Sequence, residues 1–91
     1  MTSQELTEAI KNGRKTFTGE DLRNQSFYGL DLKDADFSGA DLRGAFFDET
    51  SLHWAHFYGA DLRGARSFLC DFSSAYFDGA DLRGTYLGKK V

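Results

Sequence analysis

One six-residue segment, Gly-Ala-Asp-Leu-Arg-Gly, occurs three times in this chain at a fixed interval of twenty residues. It spans residues 39–44, 59–64 and 79–84, and a divergent copy, Gly-Glu-Asp-Leu-Arg-Asn, spans residues 19–24. A fixed period of this length is the sequence signature of repeat proteins, in which each repeat packs against the next. We therefore expect a repeat architecture.

A shorter period of five residues lies inside the longer one. Counting in fives from Phe17 to Leu87, fourteen of the fifteen positions are Phe or Leu, and the exception is Ser67. From position 35 onward, the residue two places before each of these positions is small. A period of five fits neither a helix nor a strand alone. Each five-residue unit is therefore predicted to be a short inward-facing side of a coil, followed by a turn.

The twenty-residue identity predicts four such units per coil, because identical residues then lie directly above one another. We number the sides first to fourth. Their inward columns are Phe17, Phe37, Phe57 and Phe77; Leu22, Leu42, Leu62 and Leu82; Phe27, Phe47, Ser67 and Leu87; and Leu32, Leu52 and Phe72. Side chains stacked about 4.8 Å apart pack like the ladders of a β-sheet.

The recurring Ala-Asp-Leu-Arg-Gly pattern resembles the pentapeptide repeat family, whose consensus is Ala-(Asp/Asn)-Leu-X-X. The resemblance covers residues 15–89. It implies an all-β solenoid, a right-handed quadrilateral β-helix with four pentads per coil and about four coils. Lys15, Glu20 and Gln25 stand where the family has small inward residues, so the first coil is expected to be less regular. Ser67 departs from the pattern at an inward centre.

The first twelve residues predict a short capping α-helix over residues 3–12. Thr2 and Glu5 have the spacing of a capping box, and Leu6 and Ile10 share one helical face. So short a helix does not hold by itself in water, so its apolar face must lie on something. The open end of the first coil is the obvious surface, because an uncovered end exposes apolar side chains and unpaired strand edges.

Length and composition fit a single domain over residues 1–91, with the coils at 15–89. No apolar run is long enough to span a membrane and no secretory leader is recognisable, so we expect no membrane association and a cytoplasmic location. The net charge of −3 points to no polyelectrolyte partner. The lone Cys70 falls at an inward small position, where it is expected to be a buried small hydrophobe.

Residues that could carry chemistry are few. His53 and His56 occupy outward positions on different sides of a corner, and two imidazoles are too few for a zinc site. No nucleophile elbow or phosphate-binding loop accompanies them, since the glycines follow the structural period. We therefore expect no enzyme and no cofactor. A metal protein or enzyme built on the two histidines is the weakest of three hypotheses.

The outward positions around the third side carry an unusual number of aromatic residues. Contiguous exposed apolar patches tend to mark interaction sites. The candidate protein-binding residues are Tyr28, Phe46, Trp54, Arg66, Phe68, Leu69 and Tyr86. For Phe68 two alternatives are open: it faces outward, or a bulge turns it inward beside Ser67.

The favoured hypothesis is a small non-enzymatic structural or protein-binding module. The family resemblance implies an alternative, because some members mimic duplex DNA and protect DNA gyrase from quinolones. Those members are longer, strongly acidic and dimeric. Here eleven basic residues nearly offset fourteen acidic ones, whereas a duplex carries one charge per about 1.7 Å. We accordingly expect a protein rather than a nucleic acid as partner.

The C-terminal coil lacks a segment comparable to the N-terminal helix. An open edge of this kind invites pairing with another chain, so a weak homodimer through the C-terminal coil is expected. In the monomer alternative, Lys89 and Lys90 act as charged residues that protect the edge.

Overall fold

The backbone of successive coils pairs at an interval of twenty residues. The structure, a computed structural model, describes residues 2–88. Its elements are α1, Ser3–Lys11; β1, Ser26–Tyr28; β2, Phe46–Asp48; β3, Arg66–Phe68; and β4, Tyr86–Leu87. The four strands form one parallel sheet in chain order, with Phe27 opposite Phe47 and Phe47 opposite Ser67. This sheet is the third side of the coil.

The other three sides are paired by single parallel bridges at the residue before each inward Phe or Leu. The bridged residues are Thr16, Asp36, His56 and Tyr76 on the first side; Asp21, Asp41, Asp61 and Asp81 on the second; and Asp31, Ser51 and Asp71 on the fourth. Hydrogen-bonded turns close the corners, as where the amide of Ala40 donates to the carbonyl of Phe37 at 3.0 Å. The four-sided coil predicted from the period is therefore present.

Two stacks of phenylalanine rings form the centre of the solenoid. On the first side, Phe37 stacks on Phe17 at 5.0 Å and on Phe57 at 5.2 Å between ring centroids. On the third side, Phe27 and Phe47 stack at 4.8 Å. The two stacks meet edge to face, and all five rings are fully buried. Parallel stacking follows from the register, because each residue lies above the residue twenty positions earlier.

Ser67 and Phe68 lie in a regular strand without a bulge. Ser67 is 3% exposed and points inward, whereas Phe68 is 62% exposed. The inward alternative for Phe68 is therefore wrong. A ring from the fourth side reaches this region instead, since Phe72 meets Phe47 edge to face at 6.5 Å. Within residues 2–88 the buried hydroxyl of Ser67 has no hydrogen-bond partner.

The helix α1 covers the first coil. The Thr2 hydroxyl accepts from the Glu5 amide at 3.1 Å, and the Glu5 carboxylate accepts from the Thr2 amide at 2.9 Å. This confirms the capping box, while the helix ends at Lys11, one residue earlier than predicted. Leu6 and Ile10 are buried against the coil. The amphipathic face thus lies where the sequence predicts.

The long side chains in the first coil make polar contacts within the coil and to the cap. The Ser3 hydroxyl donates to Gln25 Oε1 at 2.8 Å, and Lys15 Nζ donates to a backbone carbonyl at 2.8 Å. Arg14 pairs with Glu20, and its guanidinium lies 4.7 Å from the ring centroid of Phe17. A cation over the ring closes the first-side stack. In the first coil, long side chains that make polar contacts therefore stand in place of small inward residues, and Gln25 makes its contact with the capping helix.

The last described coil is less buried than the coils before it. Leu82 is 40% exposed, whereas Leu62, one coil earlier in the same column, is 1% exposed. Phe72 and Phe77 are half-buried against the core. Lys89 and Lys90, which the sequence suggested as protecting charges, lie outside the described residues.

Candidate interaction surfaces

The second side is a ladder of paired charges. Within each pentad the arginine binds the aspartate two residues before it, as where Arg43 Nη2 lies 2.6 Å from Asp41 Oδ2. Three of the four arginines, Arg23, Arg43 and Arg63, also approach the aspartate of the next coil, and Arg43 Nε lies 3.8 Å from Asp61 Oδ2. Hydrogen bonds from Arg23 are the main reason that the pKa of Asp21 falls to about 2. The aspartate and arginine charges on this side therefore compensate one another in pairs.

The sheet side carries the aromatic residues that the sequence singled out. We call this the third-side surface, and it comprises Tyr28, Phe46, Arg66, Phe68, Leu69 and Tyr86. Tyr28, Phe68 and Tyr86 are 66%, 62% and 65% exposed. Phe46, Arg66 and Tyr86 are neighbours in one outward column, because each pairs with the next across the sheet.

Polar contacts order parts of this surface. The Arg66 guanidinium lies 4.9 Å from the ring centroid of Phe46. The Tyr28 hydroxyl hydrogen-bonds Glu49, and this contact is the main cause of the raised pKa of Tyr28. Leu69 stands at the adjacent corner with φ of 55°, a left-handed conformation that is costly for a residue with a side chain.

Trp54 does not join the third-side surface. It lies at the corner between the fourth and first sides, a full side away from the corner of Leu69. Its ring packs on that of His53 at 4.0 Å. The sequence grouped Trp54 with the other aromatic residues because it is also outward, but the coil separates them.

The two histidines point to different neighbours. His53 packs on Trp54, whereas His56 stacks on Tyr76 at 4.9 Å on the first side. In the part of the chain between residues 2 and 88, no group of three or more His, Cys, Asp or Glu side chains is arranged to hold a metal ion. Cys70 is buried, and its sulfur contacts the carbonyl of Phe47 at 2.5 Å.

A second aromatic cluster, which sequence reasoning missed, lies on the first side. We call His56, Tyr58 and Tyr76 the first-side cluster. Tyr76 stacks on His56 with an interplanar angle of 19° and on Tyr58 at 5.7 Å and 27°. The available signal was the register, since positions 56 and 76 share an outward column and position 58 is the next outward position on the same side.

Comparison with known proteins identifies the repeats. A family model described as pentapeptide repeats matches residues 16–44, 31–66 and 69–88, with eight copies. No curated protein is significantly similar to the chain. The family resemblance inferred from the repeated pentads is therefore confirmed.

Solved structures show the same fold. HetL, a pentapeptide repeat protein involved in heterocyst differentiation regulation from the cyanobacterium Nostoc sp. strain PCC 7120, aligns with a TM-score of 0.74 and 26% identity, over 86% of this chain and 34% of HetL. A pentapeptide repeat protein from the Arabidopsis thaliana thylakoid lumen aligns with a TM-score of 0.54 and 32% identity, over 80% and 57% of the two chains. The present chain thus spans about a third and just over half of these relatives.

A plasmid-mediated fluoroquinolone resistance protein is also similar, at 24% identity over 79% of this chain and 42% of that protein, but its TM-score is only 0.31.

The pentapeptide-repeat neighbours are right-handed β-helices, and the parallel coils and N-terminal helix of this chain match that architecture. The predicted fold class is confirmed.

Proposed function

The chain belongs to the pentapeptide repeat family, and on that premise we propose that it is a non-enzymatic module that binds a protein partner through its third-side surface. The observation that carries this proposal is the exposure of Tyr28, Phe68 and Tyr86, each above 60%, on one continuous parallel sheet. Pentapeptide repeat proteins are generally structural or non-enzymatic.

The third-side surface suits protein recognition because its side chains are held by the sheet beneath them. Tyr, Phe and Arg are the residues enriched in protein interfaces, where large rings contribute contact area at a low cost in side-chain entropy. Arg66 is already ordered against Phe46, which lowers the entropy that binding would remove. Leu69 takes the left-handed conformation that recurs at the corners of the coil, and it adds an exposed apolar side chain beside the sheet.

The role of one relative agrees with this proposal. HetL is involved in the regulation of a differentiation process, which a protein can perform through contact with a partner. The cytoplasmic location stays a sequence prediction. Within residues 2–88, α1 has nine residues, so no helix there is long enough to cross a membrane.

DNA mimicry remains the alternative, and the charge pattern does not favour it. A mimic of duplex DNA needs rows of unpaired carboxylates, whereas Asp61 on the second side accepts from Arg63 Nη2 at 2.7 Å and also faces Arg43. A supercoiling assay with purified gyrase separates the two functions. We expect no effect of the protein on supercoiling, with or without a quinolone, and protection of gyrase would contradict this expectation.

The binding proposal is tested by capture from the native host. We expect the wild-type protein and the Trp54→Ser variant to retain the same partner, while the Tyr28→Ser/Phe68→Ser double variant loses it. Trp54→Ser is the matched control because it removes an exposed aromatic ring one side away. Equal capture by all three proteins would show that the third-side surface is not the binding site.

A further inference from the structure

The first-side cluster is an exposed aromatic surface that the proposed function does not use. Tyr58 and Tyr76 are exposed, and the three rings pack on one another in two adjacent coils. The bridge between His56 and Tyr76 holds the cluster in place at backbone level. The cluster is therefore an ordered platform rather than a set of independent surface side chains.

Two carboxylates flank this platform. Asp36 precedes His56 in the same outward column, and Asp78 follows Tyr58 in the next one. The pKa of Tyr58 is raised, and desolvation is the largest cause. Electrostatic interactions with Asp78, Tyr76 and Asp36 raise it further, in that order of size. Both negative charges therefore act at the edge of the aromatic surface.

The first side differs from the second side in having no lysine or arginine at its outward positions. These positions are Thr16, Thr18, Asp36, Ser38, His56, Tyr58, Tyr76 and Asp78. Within residues 2–88, Asp36 and Asp78 make no ion pair with a lysine or arginine, whereas each aspartate of the second-side ladder has one. The Asp36 carboxylate accepts local hydrogen bonds from Ser38, and these are the main reason that its pKa is lowered, with a smaller contribution from His56. An aromatic platform flanked by two carboxylates that pair with no lysine or arginine within residues 2–88 is complementary to a cation.

We propose that the first-side cluster, with Asp36 and Asp78, binds an arginine side chain from a basic segment of a partner protein. A guanidinium is planar, stacks on aromatic rings and donates hydrogen bonds in a fork that matches a carboxylate. The chain itself uses this contact, since Arg66 lies 4.9 Å from Phe46 and Arg14 lies 4.7 Å from Phe17. The two carboxylates would repel phosphate groups, so a nucleic acid does not fit this surface.

The test is a titration of the full chain with the peptide Gly-Arg-Gly-Arg-Gly, whose two termini are chemically blocked. NMR chemical shifts of the protein are recorded at each step at physiological salt. Two matched peptides replace arginine with lysine or with citrulline, which keeps the shape but lacks the charge. We expect shifts centred on Tyr58 and Tyr76, with the arginine peptide binding tightest and the citrulline peptide weakest. Tyr58→Ala and Asp78→Asn should each lower the affinity for the arginine peptide about two- to five-fold.

Tyr28→Ala is the control, because it removes an exposed ring on the third side and should leave the affinity unchanged. Circular dichroism establishes that each variant is folded. If Tyr58→Ala does not fold, Asp78→Asn and the three peptides on the wild-type chain decide the question. Equal binding of the arginine and citrulline peptides, or equal losses in Asp78→Asn and Tyr28→Ala, would overturn the proposal. Shifts confined to the third-side surface would also overturn it.

Discussion

The ring of Phe72 meets the ring of Phe47 at 6.5 Å and 76°, and Phe47 pairs through the backbone with Ser67 of the next coil. A larger residue at position 67 would stack on Phe47, as Phe47 stacks on Phe27. The wider side chain at position 72, where the column otherwise has leucine, supplies a contact to Phe47 that serine does not make. The larger side chain of Phe72 on the fourth side thus compensates for the smaller side chain of Ser67 on the third side of the same coil.

Replacing Ser67 with alanine should stabilise the protein. The change removes a buried hydroxyl that has no partner within residues 2–88, and such groups cost about 1–3 kcal/mol. Thr50→Val is the matched control, because the Thr50 hydroxyl donates to the Phe27 carbonyl at 3.0 Å and its loss should cost about 1 kcal/mol. Urea unfolding measures both free energies. A loss of stability in Ser67→Ala would show that the hydroxyl is satisfied.

Replacing Phe57 with alanine should lower the free energy of unfolding by about 3–5 kcal/mol, because it empties a position in a continuous stack of rings. Phe57 is fully buried and stacks on Phe37 and Phe77. The control is Phe68→Ala, which removes an exposed ring and should change stability by less than about 0.5 kcal/mol. Similar unfolding curves for the two variants would contradict the stacked core.

The charge ladder predicts how Asp81 titrates. The Arg83 side chain is the main reason that the pKa of Asp81 falls from 3.8 to about 2. Because this pKa is depressed in the folded protein, the stabilising contribution is present above pH 4 and is lost as the pH falls toward 2. Carboxyl-carbon NMR should show the Asp81 midpoint rising toward 3.8 in Arg83→Gln but not in Arg23→Gln. The same Asp81 midpoint in all three proteins would contradict this account.

Replacing Leu69 with glycine should separate stability from binding. Glycine relieves the left-handed conformation at φ of 55°, although it also makes the unfolded chain more flexible. The free energy of unfolding should therefore stay the same or rise by up to about 1 kcal/mol. Capture of the partner should weaken, because an exposed apolar side chain is lost. Thermal unfolding and the capture experiment measure the two effects. If the variant captures as much partner as the wild-type protein, Leu69 is not part of the binding site.

The exposed inward residues of the last described coil predict weak self-association. Leu82 is 40% exposed, and burying it against a second copy would cover apolar surface. Sedimentation should show the average mass rising above 10.2 kDa with concentration, and Leu82→Lys should reduce this effect. The area is small, so association is expected at concentrations on the order of hundreds of micromolar. A constant monomer mass in that range would rule the association out.

The sequence by itself determined the repeat, its register and its cap. The five-residue period identifies each inward Phe or Leu, and the twenty-residue identity places Phe37 above Phe17. The capping box at Thr2 and Glu5 could be read directly, because it depends on residues three positions apart. These features are local or strictly periodic, so they need no knowledge of packing.

Only the tertiary structure decided what happens where the period is broken. Whether Phe68 turns inward depends on the volume beside Ser67, and that volume is shared with Phe72 on another side of the coil. The separation of Trp54 from the third-side surface and the formation of the first-side cluster likewise depend on which corner or column each residue occupies in the coil. The physical reason is that outward side chains contact residues one coil or one corner away, and on the first and third sides the repeat fixes the inward residues but not the outward ones.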